Sequence, residues 1–182
     1  KMENANLHNM LELIEKYKDK WNWLRLSYNK SLPWNLDLIE KFEDEWDWEQ
    51  LSLNESLSWT SELIEKYNHK WDWEQLSYNE SLSWTIELIE KHEDELNWYY
   101  LSSNELLPWT NELLGKYIDK WDWKKLSYNK YIPWTIELLE KFESKWNWRD
   151  LYSNFAVYEK VIQPHINDKV VDEVMRKILE NE

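Results

Sequence analysis

Apolar and polar positions in this chain recur on a 25-residue period without slippage. Trp23, Trp48, Trp73, Trp98, Trp123 and Trp148 share one register. Leu26, Leu51, Leu76, Leu101, Leu126 and Leu151 share a second, and Asn29, Asn54, Asn79, Asn104, Asn129 and Asn154 a third. A fixed period of this size marks a solenoid, because one unit cannot bury its apolar face alone and must stack on its neighbours.

Within the stretch from Pro33 to Leu57, Trp34, Leu38, Ile39, Phe42 and Trp46 are apolar. At ~100° per residue they span a stripe of roughly 140°. Asp37, Glu40, Lys41, Glu43 and Asp44 take the opposite face. This spacing predicts an amphipathic helix of about thirteen residues, near ~20 Å long. Pro33, Pro108 and Pro133 then suit its first turn, where a missing N–H costs little.

A second, shorter helix follows. The residue between each Trp pair is always Asn or Asp: Asn22, Asp47, Asp72, Asn97, Asp122 and Asn147. Their side chains make the best N-caps. Gln50 and Gln75 stand three residues after Asp47 and Asp72, the spacing of a capping box. Trp48 and Leu51 share the buried side, and Asn54 is placed to end the helix in the left-handed conformation. No segment alternates with period two long enough for a strand.

The expected fold is therefore an all-α open solenoid of about six short repeats. The array covers residues 1–154, with an incomplete first repeat over 7–29 and further repeats starting at Pro33, Ser58, Ser83, Pro108 and Pro133. An opening in mid-repeat suggests a missing preceding part. Residues 155–182 leave the pattern. Val170, Val171, Val174, Ile178 and Leu179 recur there at helical spacing after Pro164, with Asp168 as an N-cap, and read as a C-terminal capping helix.

The motif W-[DN]-W-x-x-L-S-x-N, carried by Asp47, Trp48, Leu51, Ser52, Asn54 and their equivalents, resembles tandem Trp-rich repeats of uncharacterised bacterial and giant-virus proteins. That resemblance implies a repeat architecture and no particular activity. The repeat resembles more loosely the α/3₁₀ unit of leucine-rich repeat variants.

Composition changes the picture in two ways. Sixteen tryptophans allow a large core in a chain of 182 residues. Most of them, including Trp34, Trp46, Trp48, Trp59, Trp71 and Trp73, are read as core with Leu51 and Leu76. The alternative is a row of stacking platforms for sugars or bases. Lys plus Arg is 22 and Asp plus Glu is 36, a net of −14, so binding to a nucleic-acid backbone is not expected.

Cysteine is absent, which excludes disulfides and thiolate metal sites. No apolar run suits a membrane span, and the first nine residues hold no signal-peptide core, so a cytoplasmic setting is expected. Asn29, Asn54 and Asn79 open glycosylation sequons that matter only in a secretory compartment.

Candidate chemistry is sparse. His8, His69, His92 and His165 form no metal-binding pair, and the carboxylates at 43–45 and 93–95 read as a solvated face. No nucleophile, phosphate or dinucleotide motif is present. No catalytic residue, metal or cofactor is expected. Asn54, Asn79 and their equivalents instead suggest a ladder in which each side chain bonds the loop of the adjacent repeat.

Differences between repeats carry the functional expectation. Leu96, His92, Tyr99 and Tyr100 break the pattern, Leu106 and Leu107 follow, and Gly115 replaces a mid-helix Glu. Acids crowd residues 37–62, whereas Lys116, Lys120, Lys124, Lys125, Lys130, Lys141, Lys145 and Arg149 come later. The sequence therefore points to a scaffold that binds a protein or peptide. The candidate contacts are Tyr99, Tyr100, Leu106, Lys116, Lys120, Lys124 and Lys125. A DNA-mimicking acidic inhibitor and an end-to-end assembling structural protein are the alternatives.

Overall fold

The computed structural model describes residues 2–167, 169, 170, 173 and 176, and among these the chain is helical with no strand. It is an all-α repeat solenoid. Its contacts divide it into two compact blocks, 1–97 and 98–182. The first block holds α1 (Met2–Lys16), α2 (Trp23–Ser27), α3 (Leu36–Lys41), α4 (Trp48–Ser52), α5 (Ser61–Lys66), α6 (Trp73–Tyr78) and α7 (Ile86–Lys91). The second holds α8 (Trp98–Leu101), α9 (Asn111–Lys116), α10 (Trp123–Tyr128), α11 (Ile136–Lys141), α12 (Trp148–Leu151) and α13 (Phe155–Val157).

The expected thirteen-residue helix is a six-residue one. α3 starts after Asn35, whose side chain accepts from the Leu38 N–H, and Thr60, Thr85, Thr110 and Thr135 cap α5, α7, α9 and α11 in the same way. Each cap forces an extended backbone at that residue, so Trp34 lies before the helix. The prolines are thus not in a helical first turn. Trp34, Trp109 and Trp134 donate their N–H to the carbonyl two residues back, which closes a three-residue turn around Pro33, Pro108 and Pro133.

At the other end, the Trp46 indole N–H donates to the Ile39 carbonyl (3.1 Å), and Trp71 donates to Ile64 (3.2 Å). These bonds satisfy last-turn carbonyls that a helix leaves open, while the chain turns away. Phenylalanine has no donor to do this.

The second helix starts where expected. Asp47, Asp72 and Asp122 accept from the N–H of the third residue on, at 2.9, 3.0 and 2.8 Å. The capping box is not completed by glutamine. The Asp47 N–H donates instead to Ser27 Oγ of the preceding repeat (2.9 Å), and the Asp72 N–H to Ser52 Oγ (3.0 Å). Asn97, Asp122 and Asn147 repeat this with Ser77, Ser102 and Ser127. Each serine hydroxyl donates in turn to a carbonyl of its own helix, as Ser52 does to Trp48 (2.7 Å).

Asn54 does not turn left-handed, since none of the described residues adopts positive φ. It forms the expected ladder. Its Nδ2 donates to the Ser27 carbonyl at 2.9 Å, and Asn79, Asn129 and Asn154 donate to Ser52, Ser102 and Ser127. Their Oδ1 atoms accept the N–H two residues on, which shapes the return loop. The ladder asparagines are buried, as are Ser52, Ser77, Ser102 and Ser127.

The aromatic core runs through the same joints. Trp48 meets Tyr67 and Trp71 of the next repeat at 5.0 and 4.9 Å, and Trp123 meets Phe142 and Trp146 at 5.3 and 4.7 Å. His92 takes the Phe or Tyr place and stacks on Trp73 at 3.5 Å. Trp34, Trp46, Trp71, Trp73, Trp84, Trp109, Trp121, Trp134 and Trp146 are buried, and Trp48 and Trp59 are half-buried. Trp21 and Trp148 are exposed. Trp148 has no following Trp pair to cover it, and Tyr152 replaces the ladder serine, so the joint is not offered again beyond residue 154.

Beyond the array, α13 runs on through a wider helical turn at Tyr158–Ile162 and a 3₁₀ turn at Gln163–His165, burying Ala156, Val157 and Val161. The Val170 N–H donates to Asn167 Oδ1 (3.2 Å), so a cap bond falls one residue before the expected Asp168. Asp168, Val171, Val174, Ile178 and Leu179 lie outside the described residues. Gly115 is in neither a bend nor a close contact, because a Cβ there would meet Phe142 and Lys141 side-chain atoms only at 3.8 and 3.9 Å.

Candidate partner-binding surface

Each short helix carries a variable pair of residues just after its opening Trp, the first exposed in every repeat and the second half-buried at Gln50, Gln75 and Lys125 and buried at Asp150. That pair is Leu24-Arg25, Glu49-Gln50, Glu74-Gln75, Tyr99-Tyr100, Lys124-Lys125 and Arg149-Asp150. The registers around it are fixed by the core, by the cap and by the ladder. At these two positions the cap uses only the backbone N–H of the second residue, and neither side chain serves cap or ladder, so they are where the repeats differ.

In the second block this pair becomes an aromatic and cationic surface. Tyr99 and Tyr100 on α8 are 50% and 38% exposed, with ring centroids 5.5 Å apart in an edge-to-face arrangement. Lys125 on α10 holds its ammonium 4.4 Å above the Tyr99 ring. Contact with Tyr99 raises the Lys125 pKa, so its charge persists well above neutral pH. Lys124 is exposed beside it. Leu106 is exposed in the return loop, whereas Leu107 is core. Lys116 and Lys120 belong to a different cluster, stacked over Tyr117 and over Trp98 and Tyr117.

The sequence reading missed the loop side of this block. Two adjoining cavities of about 320 and 430 Å³ lie there and share Tyr128, Lys130 and Tyr131 as walls. The signal was present in register: Lys130-Tyr131 stands where the second and third repeats have Glu55-Ser56 and Glu80-Ser81. The Tyr128 hydroxyl donates to Asp150 Oδ1 at 2.8 Å, and that bond pushes the phenol pKa up. Asp150 is buried, and its Oδ2 has no hydrogen-bond partner.

Charge is divided between the blocks. Residues 1–97 carry 10 Lys and Arg against 22 Asp and Glu, a net of −12; residues 98–182 carry 12 against 14, a net of −2. Several lysines are spent on carboxylates of a neighbouring repeat. Lys70–Glu43 (2.7 Å), Lys91–Glu65 (2.6 Å) and Lys145–Asp119 (3.1 Å) are such pairs. Exposed pairs of this kind add ~1 kcal/mol or less each.

Among the described residues no group of three or more His, Asp or Glu is placed to hold a metal ion. No described helix is long and apolar enough to cross a membrane. No protein family, curated protein or solved structure matches the chain.

Proposed function

We propose that this chain is a non-enzymatic repeat scaffold that binds a protein or peptide through the short-helix face of residues 98–182. One observation carries the reading. At the variable pair of α8, two neighbouring tyrosines stand exposed with a lysine ammonium held over one ring, where the preceding repeats place Glu49-Gln50 and Glu74-Gln75. Tyrosine offers a large contact area with two side-chain torsions to order, and tyrosine is enriched in the cores of protein interfaces. Lys124, Lys125 and Leu106 extend that surface.

Capture from host lysate by immobilised protein tests this. Specific partners retained by the parent chain should fall about tenfold for Tyr99→Ser/Tyr100→Ser, equivalent to ~1.4 kcal/mol of binding. They should persist for the control Glu74→Ser/Gln75→Ser. Equal capture by the tyrosine variant refutes the surface.

The charge of residues 1–97 favours a second reading, an acidic mimic that occupies a DNA-binding protein. Capture of basic proteins, lost steeply at raised salt, would distinguish it. A cytoplasmic setting is supported by the ladder. Asn54 and Asn79 stand in glycosylation sequons yet are 0% and 1% exposed, so a glycan on either would abolish a joint between repeats.

A further inference from the structure

The two cavities on the loop side of residues 98–182 are built from one register in successive repeats. Ser103, Glu105, Lys125, Tyr128, Asn129, Lys130 and Tyr131 line the first. The second reuses Tyr128, Lys130 and Tyr131 and adds Asn154, Phe155, Glu159 and Lys160 among its walls. Together they make a groove with cations spaced along it.

Two acids line the groove. Glu105 accepts the hydroxyl of Tyr131, and Glu159 has Lys160 next to it in sequence. The buried Asp150, outside the lining, accepts the Tyr128 hydroxyl. The ammonium groups are differently placed. Lys125 lies over Tyr99 and Lys130 over Tyr131, at 4.4 and 4.8 Å, so each is positioned by a ring rather than consumed by a carboxylate. The second, third and fourth repeats have Gln50, Gln75 and Tyr100 at the Lys125 register, and Glu55, Glu80 and Glu105 at the Lys130 register. The first repeat is cationic at both, with Arg25 and Lys30, but there Lys30 is paired with Glu55 (2.5 Å).

Resting on the peptide-binding reading above, we propose that this groove binds an extended acidic peptide segment of a partner protein, with carboxylates seated against Lys125 and Lys130. A polyproline II chain advances ~3.1 Å per residue and returns to the same face every three residues, or about 9 Å, so an acid at every third position keeps its carboxylates on the groove side. The net charge of −14 does not prevent this, because a Debye length of ~8 Å at physiological salt lets the local cations dominate.

The test uses the full chain and a fluorescein-labelled peptide of three Glu-Pro-Pro units, read by fluorescence anisotropy at about 50 mM and about 300 mM salt. The acidic peptide should bind, weaken clearly at the higher salt, and weaken about tenfold or more with Lys125→Gln/Lys130→Gln. The matching Gln-Pro-Pro peptide should not bind. Circular dichroism should show the variant folded, since both lysines are on the surface. Equal binding of the two peptides, equal binding by the variant, or no binding overturns the groove. Self-association that Lys125→Gln/Lys130→Gln abolishes, without peptide binding, overturns it in favour of a second copy as occupant. If the peptide fails while capture still depends on Tyr99 and Tyr100, the groove alone is wrong. If the peptide binds while capture ignores those tyrosines, the short-helix surface is wrong.

Discussion

Trp71→Ala should destabilise the chain by about 3–5 kcal/mol, the cost of emptying a large buried aromatic site. Trp71 is 5% exposed and sits at the crossing of three rings, with centroids of Trp48, Trp59 and Tyr67 at 4.9, 5.0 and 6.5 Å. Its indole N–H also closes the end of α5 through the Ile64 carbonyl. For a chain of this size the loss lowers the melting temperature by roughly 6–20 °C. Trp71→Phe keeps a ring and loses the donor, so it should cost clearly less. Trp148→Ala is the matched control. It is 52% exposed, and its removal should cost about 1 kcal/mol or less. Thermal unfolding by circular dichroism reads all three. Equal losses at Trp71 and Trp148 would show that the tryptophans are not the joints between repeats.

The second large effect is expected at the ladder. In Asn79→Ala the Ser52 carbonyl loses its donor, and the N–H groups of Ser81 and Leu82 lose their acceptor, with lengths of 2.9, 2.8 and 3.2 Å in the parent. Asn79 is 1% exposed, so water does not replace these partners readily. Buried groups left unpaired cost ~1–3 kcal/mol each, and partial relaxation brings the expected total to about 2–4 kcal/mol. Asn79→Asp sharpens the test. A carboxylate still accepts from Ser81 and Leu82 but faces the Ser52 carbonyl with a second acceptor, so it should be no better than alanine. Denaturant unfolding of the two variants measures this. A loss below about 0.5 kcal/mol for Asn79→Ala would mean that the ladder contributes little.

The 25-residue period, the two helices per repeat, the cap at Asp47 and the tryptophan core were all legible in the spacing of residues. Helix length was not. The apolar stripe from Trp34 to Trp46 runs on through positions that the chain leaves non-helical, because hydrophobic spacing does not register a hydrogen bond such as Trp46 to Ile39. A local signal for the true start was present: Thr60, Thr85, Thr110 and Thr135 each precede the buried leucine by three residues. The asparagine ladder was readable because one polar residue repeated without exception. Its serine partner was not, since Ser52 acts on a backbone N–H twenty residues ahead and has no pattern with its neighbours.

At the surface, Tyr99 and Tyr100 stood out as departures from the repeat, and both are exposed. The Lys125 contact with Tyr99 needed the stacking of α10 on α8. The groove escaped notice because its walls come from two return loops, from α10 and from the helical stretch after residue 154, each unremarkable alone.

The central claim is that consecutive repeats are welded by a serine that completes the next repeat's helix cap. Amide hydrogen exchange by NMR tests it most directly. First-turn and N-cap amides of short helices ordinarily exchange fast, since no partner lies within the helix. Here the amides of Asp47, Asp72, Asp122 and Asn147 should be protected, while Asn22, whose register partner is Met2 rather than serine, should exchange freely. Exchange of Asp47 and Asp72 as fast as Asn22 would contradict the joint.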